Sequence, residues 1–272
     1  MGMIAVNGKS YAIAGLLFDK DGTILDFVSM WGPWCEWLLQ GYIGRLEQSA
    51  AGSVMSLGLT PEFLPRLLGT MHQPDGRIVD YDRNGPLAMG TMPELFGILS
   101  WHAYQAGLSW AEAKELVEAC RLEAEDRLAK TKPIKPLPGL IALLEAVKAA
   151  GMPMAVVTAD DTGPAERHLA WMGIRHYFET VVGNDLAERG KPFPDLMELA
   201  CRRLGVECAS VAIIGDTNAD MRMGRAAGAA VTIGIAPPDE AGFADVAARL
   251  PDADHVIAAY AELSVRGATD EG

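Results

Sequence analysis

The sequence predicts an α/β fold: a three-layer core with a parallel sheet, plus an α-helical domain inserted near the start of the chain. Two observations lead to this prediction. In the second half, short apolar runs alternate with helical stretches that end at glycine, and the long segment after the first apolar run is helical in pattern. Alternating strands and helices indicate right-handed βαβ units. Helices cover both faces of such a sheet, which explains strands that are apolar throughout.

The first strand is predicted at Ala12–Phe18, an apolar run that leads directly into Asp19. Further strands are predicted at Met154–Thr158, Thr180–Val182, Val211–Gly215 and Ala230–Ile235. The predicted helices of this half end at Gly151, Gly173, Gly205 and Gly228. Glycine is typical of the position that follows a helix.

The segment between the first and second predicted strands has the signals of a separate helical domain. Thr91–Glu94 and Ser109–Glu112 both fit the capping box at a helix start. His72–Gly90 is rich in Gly, Pro, Asp and Asn, which predicts a long loop or a small hairpin. The proline-rich stretch Thr131–Pro138 predicts a stiff return linker. We therefore expect a discontinuous core of residues 1–27 and 133–272 and a helical cap domain of residues 28–132.

The balance of charges argues against two classes of partner. The chain has 23 Lys and Arg against 36 Asp and Glu, a formal net charge of −13. Nucleic acids and anionic membranes require a basic surface, so we expect neither as a partner. The four cysteines lack zinc or C-x-x-C spacing, and no segment is typical of an export signal or a membrane span. We expect a cytoplasmic protein, and the sequence carries no signal for or against a homodimer.

Polar side chains follow the carboxyl ends of several predicted strands. In open parallel sheets, ligands bind at these ends. Asp19 and Asp21 follow the first strand, Thr158 ends the second, and Asp216 and Asp220 follow the strand Val211–Gly215. Lys191 precedes a helix in the same half of the chain. Carboxylates, a hydroxyl group and a lysine are thus expected at one edge.

This set fits a phosphoryl-transfer site. Asp19 is suited to attack phosphorus as a carboxylate nucleophile, and Asp21, two residues on, to act as general acid and base. A Mg²⁺ ion held by Asp19 and Asp216 would relieve the repulsion among the carboxylates. Thr158 and Lys191 would hold the phosphoryl oxygens.

Four motifs in this order resemble those of the haloacid dehalogenase superfamily, in particular its phosphatase branch with a helical cap, similar to phosphoglycolate phosphatase and beta-phosphoglucomutase. The motifs are Phe18–Thr23, Val157-Thr158, Lys191-Pro192 and Gly215–Asp220. The resemblance implies a Rossmann-like core and a Mg²⁺ cofactor. It also implies these roles: Asp19 as nucleophile and metal ligand, Asp21 as acid and base with its backbone carbonyl on the metal, Asp216 as metal ligand, Asp220 in or near the metal shell, and Thr158, Lys191 and Gly22 on the phosphate.

Two residues depart from the family pattern. Lys20 stands where the family usually has an apolar residue, and along an extended chain it would point away from Asp19 and Asp21. We interpret it as a structural or surface contact. Asp160 is interpreted as a cap of the following helix rather than as a residue at the mouth of the site.

The expected function is a Mg²⁺-dependent phosphatase that hydrolyses a small soluble phosphomonoester. A sugar phosphomutase shares all four motifs and differs in protecting the aspartyl-phosphate from water. A non-catalytic phosphate-binding regulatory protein is the alternative from another class, and the presence of both Asp19 and Asp21 argues against it. The inserted domain is expected to act as a lid that restricts substrates to small metabolites.

Overall fold

The computed structural model describes residues 1–49, 67–236 and 248–267. Contacts divide the chain into two compact units, of which unit 1 combines Met1–Asp26 with Lys135–Gly272 and unit 2 is Phe27–Ile134. The chain therefore leaves unit 1 after Asp26 and re-enters it at Lys135, next to the junctions predicted at residues 27 and 133.

The elements of the described residues are as follows. The strands are β1 Gly2–Val6, β2 Lys9–Ile13, β3 Gly15–Phe18, β4 Thr70–His72, β5 Ile78–Tyr81, β6 Met154–Val157, β7 Thr180–Val182, β8 Val211–Gly215, β9 Val231–Ile235, β10 His255–Ile257 and β11 Ser264–Arg266. The helices are α1 Phe27–Gln48, α2 Pro86–Met89, α3 Met92–Gln105, α4 Trp110–Thr131, α5 Leu140–Ala149, α6 Thr162–Trp171, α7 Asp195–Leu204 and α8 Asn218–Ala227. Within these residues, no helix has both the length and the apolar character needed to cross a bilayer.

A six-stranded sheet forms the centre of unit 1. Its strand order is β10-β9-β8-β3-β6-β7, and every neighbouring pair is parallel. Side chains of β3 alternate between two apolar clusters, with Leu16 and Phe18 in one and Leu17 in the other. Because successive residues of a strand point to opposite faces, the two clusters are the cores above and below the sheet. The predicted α/β fold with a parallel sheet is confirmed.

The run predicted as one first strand is two strands in different sheets. The chain bends at Ala14, so Ala12 and Ile13 end β2 while Gly15 begins β3. β2 pairs antiparallel with β1, which in turn pairs with β11, in a separate three-stranded sheet. The turn between β1 and β2 is Asn7-Gly8, and both residues have positive φ. Asn-Gly is a strong signal for a two-residue hairpin, but this hairpin was not among the predicted elements.

Unit 2 is mainly helical and also contains a hairpin. Both predicted capping boxes are present, at Thr91 before α3 and at Ser109 before α4. β4 and β5 form an antiparallel pair, so the hairpin alternative for His72–Gly90 is correct. Trp31 and Trp34 of α1 are 6% and 1% exposed, so both pack in the interior.

A core substitution tests the burial of β8, which pairs with β3 on one side and β9 on the other. Ile214 of this strand is fully buried. We expect Ile214→Ala to lower the free energy of unfolding by about 2–5 kcal/mol, because it removes buried methyl groups and leaves a cavity. Ile141 on α5 is 37% exposed and serves as the control, since Ile141→Ala should change stability by less than about 0.5 kcal/mol. Urea unfolding measures both, and equal effects would contradict the assignment of Ile214 to the core.

Candidate active site

The sheet order brings the predicted site residues together at one edge of unit 1. β3 lies between β8 and β6, so the residues that follow these strands are neighbours. Asp19 directly follows β3, Asp216 follows β8 and Thr158 follows β6. The backbone amide of Asp19 donates to the Ile214 carbonyl at 2.9 Å, which extends the pairing of β3 with β8 as far as the first carboxylate.

Three carboxylates form a cluster at this edge. One oxygen from each of Asp19, Asp216 and Asp220 lies within 4.8 Å of the others. Asp19 is 5% exposed and Asp220 is fully buried. Oxygen donors in this number and proximity are the kind that Mg²⁺ prefers. Asp220, predicted in or near the metal shell, has its carboxylate in the same cluster as Asp19 and Asp216.

Lys191 supplies positive charge to this cluster. Its ammonium group pairs with the Asp19 carboxylate and lies 2.6 Å from Asp220 Oδ1. The Lys191 and Asp19 side chains are each 7% exposed, so little water screens this pair. Lys191 therefore joins a residue of the loop after β3 to a residue of helix α8.

Burial and repulsion from neighbouring carboxylates disfavour the charged forms of Asp19 and Asp216. Burial raises the pKa of Asp19 to about 7, and Asp220 and Asp21 add to the rise while Lys191 opposes it. Burial also raises the pKa of Asp216 well above its usual range, with further contributions from Asp19 and Asp220. Burial disfavours the Lys191 ammonium, yet the charges of Asp19 and Asp220 outweigh it and raise the pKa of Lys191.

The cluster fits a divalent cation on these grounds. If all three carboxylates were ionised, one ammonium would leave an excess of negative charge in the cluster. Burial is the largest cause of the raised pKa of Asp19 and of Asp216, and repulsion from neighbouring carboxylates adds to it. A bound divalent cation would remove the repulsion and favour the ionised forms. The donor set consists of hard oxygens, which suits Mg²⁺.

Contacts inside the loop after β3 hold Asp216 in place. Thr23 Oγ1 donates to Asp216 Oδ1 at 3.2 Å. The Tyr260 hydroxyl donates to the Thr23 carbonyl at 2.8 Å, and burial raises the pKa of Tyr260 well above its usual value. Tyr260 was not predicted, because a lone tyrosine far along the chain carries no sequence signal of this contact.

Gly22 lies against the carboxylate of Asp216. A Cβ at Gly22 would sit 2.2 Å from Asp216 Oδ2, and the φ of Gly22 is +80°. Its amide donates to the Leu25 carbonyl at 3.0 Å. The glycine therefore allows the loop to approach Asp216 closely, whereas its predicted role in phosphate binding stays a prediction.

Thr158 and Asp220 also take part in local hydrogen bonds. Thr158 is 1% exposed, and its Oγ1 accepts from the amide of Asp160 at 3.1 Å. Asp220 Oδ2 accepts from the Thr217 hydroxyl at 2.6 Å, as part of the capping box that begins α8. Each side chain is thus oriented by a hydrogen bond to a residue two or three positions away in the sequence.

The two residues that depart from the family pattern contact each other. Lys20 is fully buried, and its Nζ lies 2.8 Å from Asp21 Oδ2 and 3.1 Å from Asp160 Oδ2. The expectation that Lys20 points away from Asp21 is wrong, because the chain leaves the extended conformation after Phe18. The interpretation of Asp160 as a helix cap is also wrong, since Asp161 is the N-cap residue of α6 and Asp160 pairs with Lys20.

Comparison with known proteins identifies the family. A buried carboxylate cluster with a lysine lies at the carboxyl edge of the parallel sheet of an α/β protein. A family model described as haloacid dehalogenase-like hydrolase matches residues 13–228. The chain belongs to the haloacid dehalogenase-like hydrolases.

Similar proteins include named phosphatases. The chain is 29% identical to fructose-1-phosphate phosphatase YqaB of Escherichia coli (strain K12), over 79% of this chain and 93% of that protein. It is 37% identical to the probable phosphatase IndB of Dickeya dadantii (strain 3937), over 38% of this chain and 46% of that protein. A solved structure, a predicted phosphoglycolate phosphatase from Haemophilus somnus 129pt, matches 90% of this chain and 93% of that chain at 19% identity, with a TM-score of 0.60. This last likeness shows the fold.

Substitution of Gly22 tests the close approach to Asp216. We expect Gly22→Ala to destabilise the protein by about 2 kcal/mol or more, because strain at positive φ adds to the overlap with Asp216. Gly8 is the matched control: its φ is +75° and no heavy atom lies within 4 Å of a Cβ placed there. Gly8→Ala should therefore show only the backbone strain, about 1 kcal/mol. Urea unfolding compares the two, and equal losses would contradict the steric role of Asp216.

Proposed function

We propose that this protein is a Mg²⁺-dependent phosphatase that hydrolyses a small soluble phosphomonoester through an aspartyl-phosphate on Asp19. The observation that carries the proposal is the Asp19 carboxylate, held at the end of β3 by Lys191 beside Asp216 and Asp220. A carboxylate in such a place can serve as nucleophile while the neighbouring groups offset the charge of a phosphoryl group.

The first step transfers the phosphoryl group to Asp19. An Oδ atom of Asp19 attacks phosphorus, a new O–P bond forms, and the bond from phosphorus to the leaving oxygen breaks. Asp21, as the protonated acid, gives its proton to that oxygen and an alcohol leaves. Asp21 is suited to this role because it lies two residues from Asp19 and its side chain keeps 19% of its surface exposed.

The second step releases inorganic phosphate. Asp21, now a carboxylate, takes a proton from water as the water oxygen attacks phosphorus. The Asp19–phosphorus bond breaks, and Asp19 and the protonated Asp21 are restored. The same residue thus gives a proton in the first step and takes one in the second, so that no proton is gained or lost by the enzyme over one cycle.

Asp19, Asp216 and the Asp21 backbone carbonyl would hold the Mg²⁺, with Asp220 in the same cluster. When bound, Mg²⁺ supplies charge that offsets the carboxylates and the phosphoryl oxygens. We propose that Lys191 also binds a phosphoryl oxygen, because its ammonium contacts the Asp19 carboxylate to which the phosphoryl group would be transferred. Thr158 and Gly22 complete the proposed phosphate-binding set.

The proposed substrate class is a small sugar phosphate or related metabolite. The similarity to a fructose-1-phosphate phosphatase over most of both chains supports this class. We expect neither nucleic acid nor membrane as a partner, because the net charge is −13, and we propose that the protein acts in the cytoplasm. The inserted helical domain is proposed as the part that selects the substrate.

Phosphate release with an Asp19 variant tests the function. We expect the wild type to release phosphate from members of a panel of sugar, polyol and glycolate phosphates, and Asp19→Asn to lose nearly all of this activity because an amide is a poor nucleophile. Asp75→Asn, an exposed carboxylate in unit 2, is the control and should keep the wild-type rate.

Two results would contradict the proposal. Wild-type activity in a folded Asp19→Asn variant would remove Asp19 as nucleophile. Conversion of a sugar phosphate to its isomer without release of inorganic phosphate would favour the mutase alternative. Thermal unfolding of each variant shows whether the protein has folded before its activity is compared.

The raised pKa of Asp19 predicts a pH dependence of Mg²⁺ binding. A carboxyl group with a pKa of about 7 in the folded protein is largely protonated at pH 5.5 and largely ionised at pH 8.5. Mg²⁺ must displace that proton at the lower pH, so its stabilising effect should be smaller there. We expect 5 mM MgCl₂ to raise the melting temperature more at pH 8.5 than at pH 5.5.

Asp216→Asn provides the test of specificity for this effect. Asp216→Asn should reduce the Mg²⁺-dependent rise in melting temperature at pH 8.5, whereas Asp75→Asn should leave that rise unchanged. Excess chelator should abolish the rise in the wild type. A rise of equal size at both pH values, or one that Asp216→Asn leaves intact, would contradict the assignment of the cluster as the Mg²⁺ site.

A further inference from the structure

Lys20 is the centre of a second buried polar cluster, separate from the three carboxylates around Lys191. Its side chain is fully buried, and its Nζ donates to Asp21 Oδ1 at 2.9 Å and lies 2.8 Å from Asp21 Oδ2. The same Nζ lies 3.1 Å from Asp160 Oδ2 and 3.2 Å from His168 Nδ1. An ammonium group has three donors, and two carboxylates and an imidazole nitrogen surround this one.

His168 acts as an acceptor in this cluster. Burial lowers the pKa of His168 to about 2, and the positive charges of Lys20 and Arg167 contribute. The imidazole is therefore neutral at physiological pH, and Nδ1 accepts a hydrogen bond from Lys20 when the ring proton is on Nε2. Burial disfavours the charge of Lys20, but Asp21 and Asp160 outweigh it and raise the pKa of Lys20.

The cluster connects the two loops that carry proposed site residues. Lys20 and Asp21 belong to the loop after β3, Asp160 belongs to the loop after β6, and His168 lies on α6. Asp160 and His168 thus contact the Lys20 ammonium from the loop after β6 and from α6, and Asp21 contacts the same ammonium from the loop after β3. Asp21 contributes both carboxylate oxygens to this contact, which restricts rotation of its side chain.

Stability alone is a weak reason for such a cluster. A buried ion pair loses hydration that its attraction barely repays, and apolar residues of similar volume are often as stabilising. A buried lysine that contacts the proposed acid and base directly calls for a role in the reaction.

We propose that Lys20 is a positioning residue for Asp21: anchored by Asp160 and His168, it holds the Asp21 carboxyl group in the orientation from which the protonated form gives its proton to the leaving oxygen. This inference rests on the proposed function. Proton transfer requires heavy atoms within hydrogen-bond distance, so a carboxyl group free to rotate transfers its proton less often. Lys20 itself gives no proton and forms no bond to phosphorus.

The proposal predicts an effect that depends on the leaving group. An alkyl alkoxide leaves only when it is protonated, whereas a nitrophenolate leaves readily without a proton. Loss of Lys20 should therefore slow phosphoryl transfer to Asp19 from an alkyl phosphate much more than from p-nitrophenyl phosphate. A residue with a purely structural role would slow both transfers by the same factor.

The experiment measures the transfer step in the full-length protein with Mg²⁺ present. Rapid mixing follows the first turnover of p-nitrophenyl phosphate and of an alkyl phosphate that the wild type hydrolyses. We expect Lys20→Met to slow transfer from the alkyl phosphate by about 10–100-fold and transfer from p-nitrophenyl phosphate by less than about threefold. Arg175→Met is the control: it removes an ion pair with Glu166 elsewhere on α6 and should leave both rates unchanged.

An Asp21→Asn background shows whether Lys20 acts through Asp21. The amide has no proton of suitable acidity to give, so adding Lys20→Met should cause little further loss with the alkyl phosphate. If Lys20→Met alone does not fold, Lys20→Met with Asp160→Asn removes both buried charges, and the same comparison of substrates applies.

The outcomes separate this inference from the proposed function. Equal slowing of both substrates, no slowing, or the full loss again in the Asp21→Asn background would overturn the role of Lys20. The proposed phosphatase function would still stand after any of these results if Asp19→Asn is inactive. Failure of the wild type to release phosphate from any substrate would instead overturn the proposed function, and with it the inference.

Discussion

The crowding of carboxylates at one edge of the sheet is the constraint on which the site depends. Parallel strands β8, β3 and β6 lie side by side, so the residues that follow them must converge. Asp19, Asp216 and Asp220 meet within 4.8 Å, in a place where burial raises the pKa of Asp19 and of Asp216. Positive charge nearby favours the ionised forms of these two carboxylates. Lys191 supplies part of that charge, and the remaining excess is what makes the site suitable for a divalent cation.

Two buried lysines divide the carboxylates into two groups. Lys191 contacts Asp19 and Asp220, and Lys20 contacts Asp21 and Asp160. In the proposed mechanism Asp19 and Asp21 lie two residues apart and perform different tasks, one as nucleophile and the other as acid and base. Separate ammonium partners provide a physical basis for that difference, because each carboxylate is oriented by its own contact.

The sequence predicted most of the sheet and several of the side chains that lie together at its edge, and its errors have identifiable causes. β7 and β8 begin and end where the apolar runs do, because a buried parallel strand is apolar along its whole length. The single strand predicted at Ala12–Phe18 was an error of the same reasoning, since an apolar run does not reveal a bend at Ala14. The hairpin at Asn7-Gly8 had a usable signal. Tyr260 and His168 had none, because their partners lie far away in the chain.

The sequence by itself determined the family, the parallel α/β fold and the set of residues that gather at the carboxyl edge. It could do so because the pattern of apolar runs and the order of the motifs are visible in the sequence itself. Only the tertiary structure decided where Lys20 and Asp160 point. Alternation along an extended chain directs Lys20 away from Asp21, but the chain turns after Phe18 and a buried ammonium must find acceptors wherever the fold offers them. Asp21 and Asp160 meet at Lys20 because they lie in the loops after β3 and β6, which the sheet order places side by side.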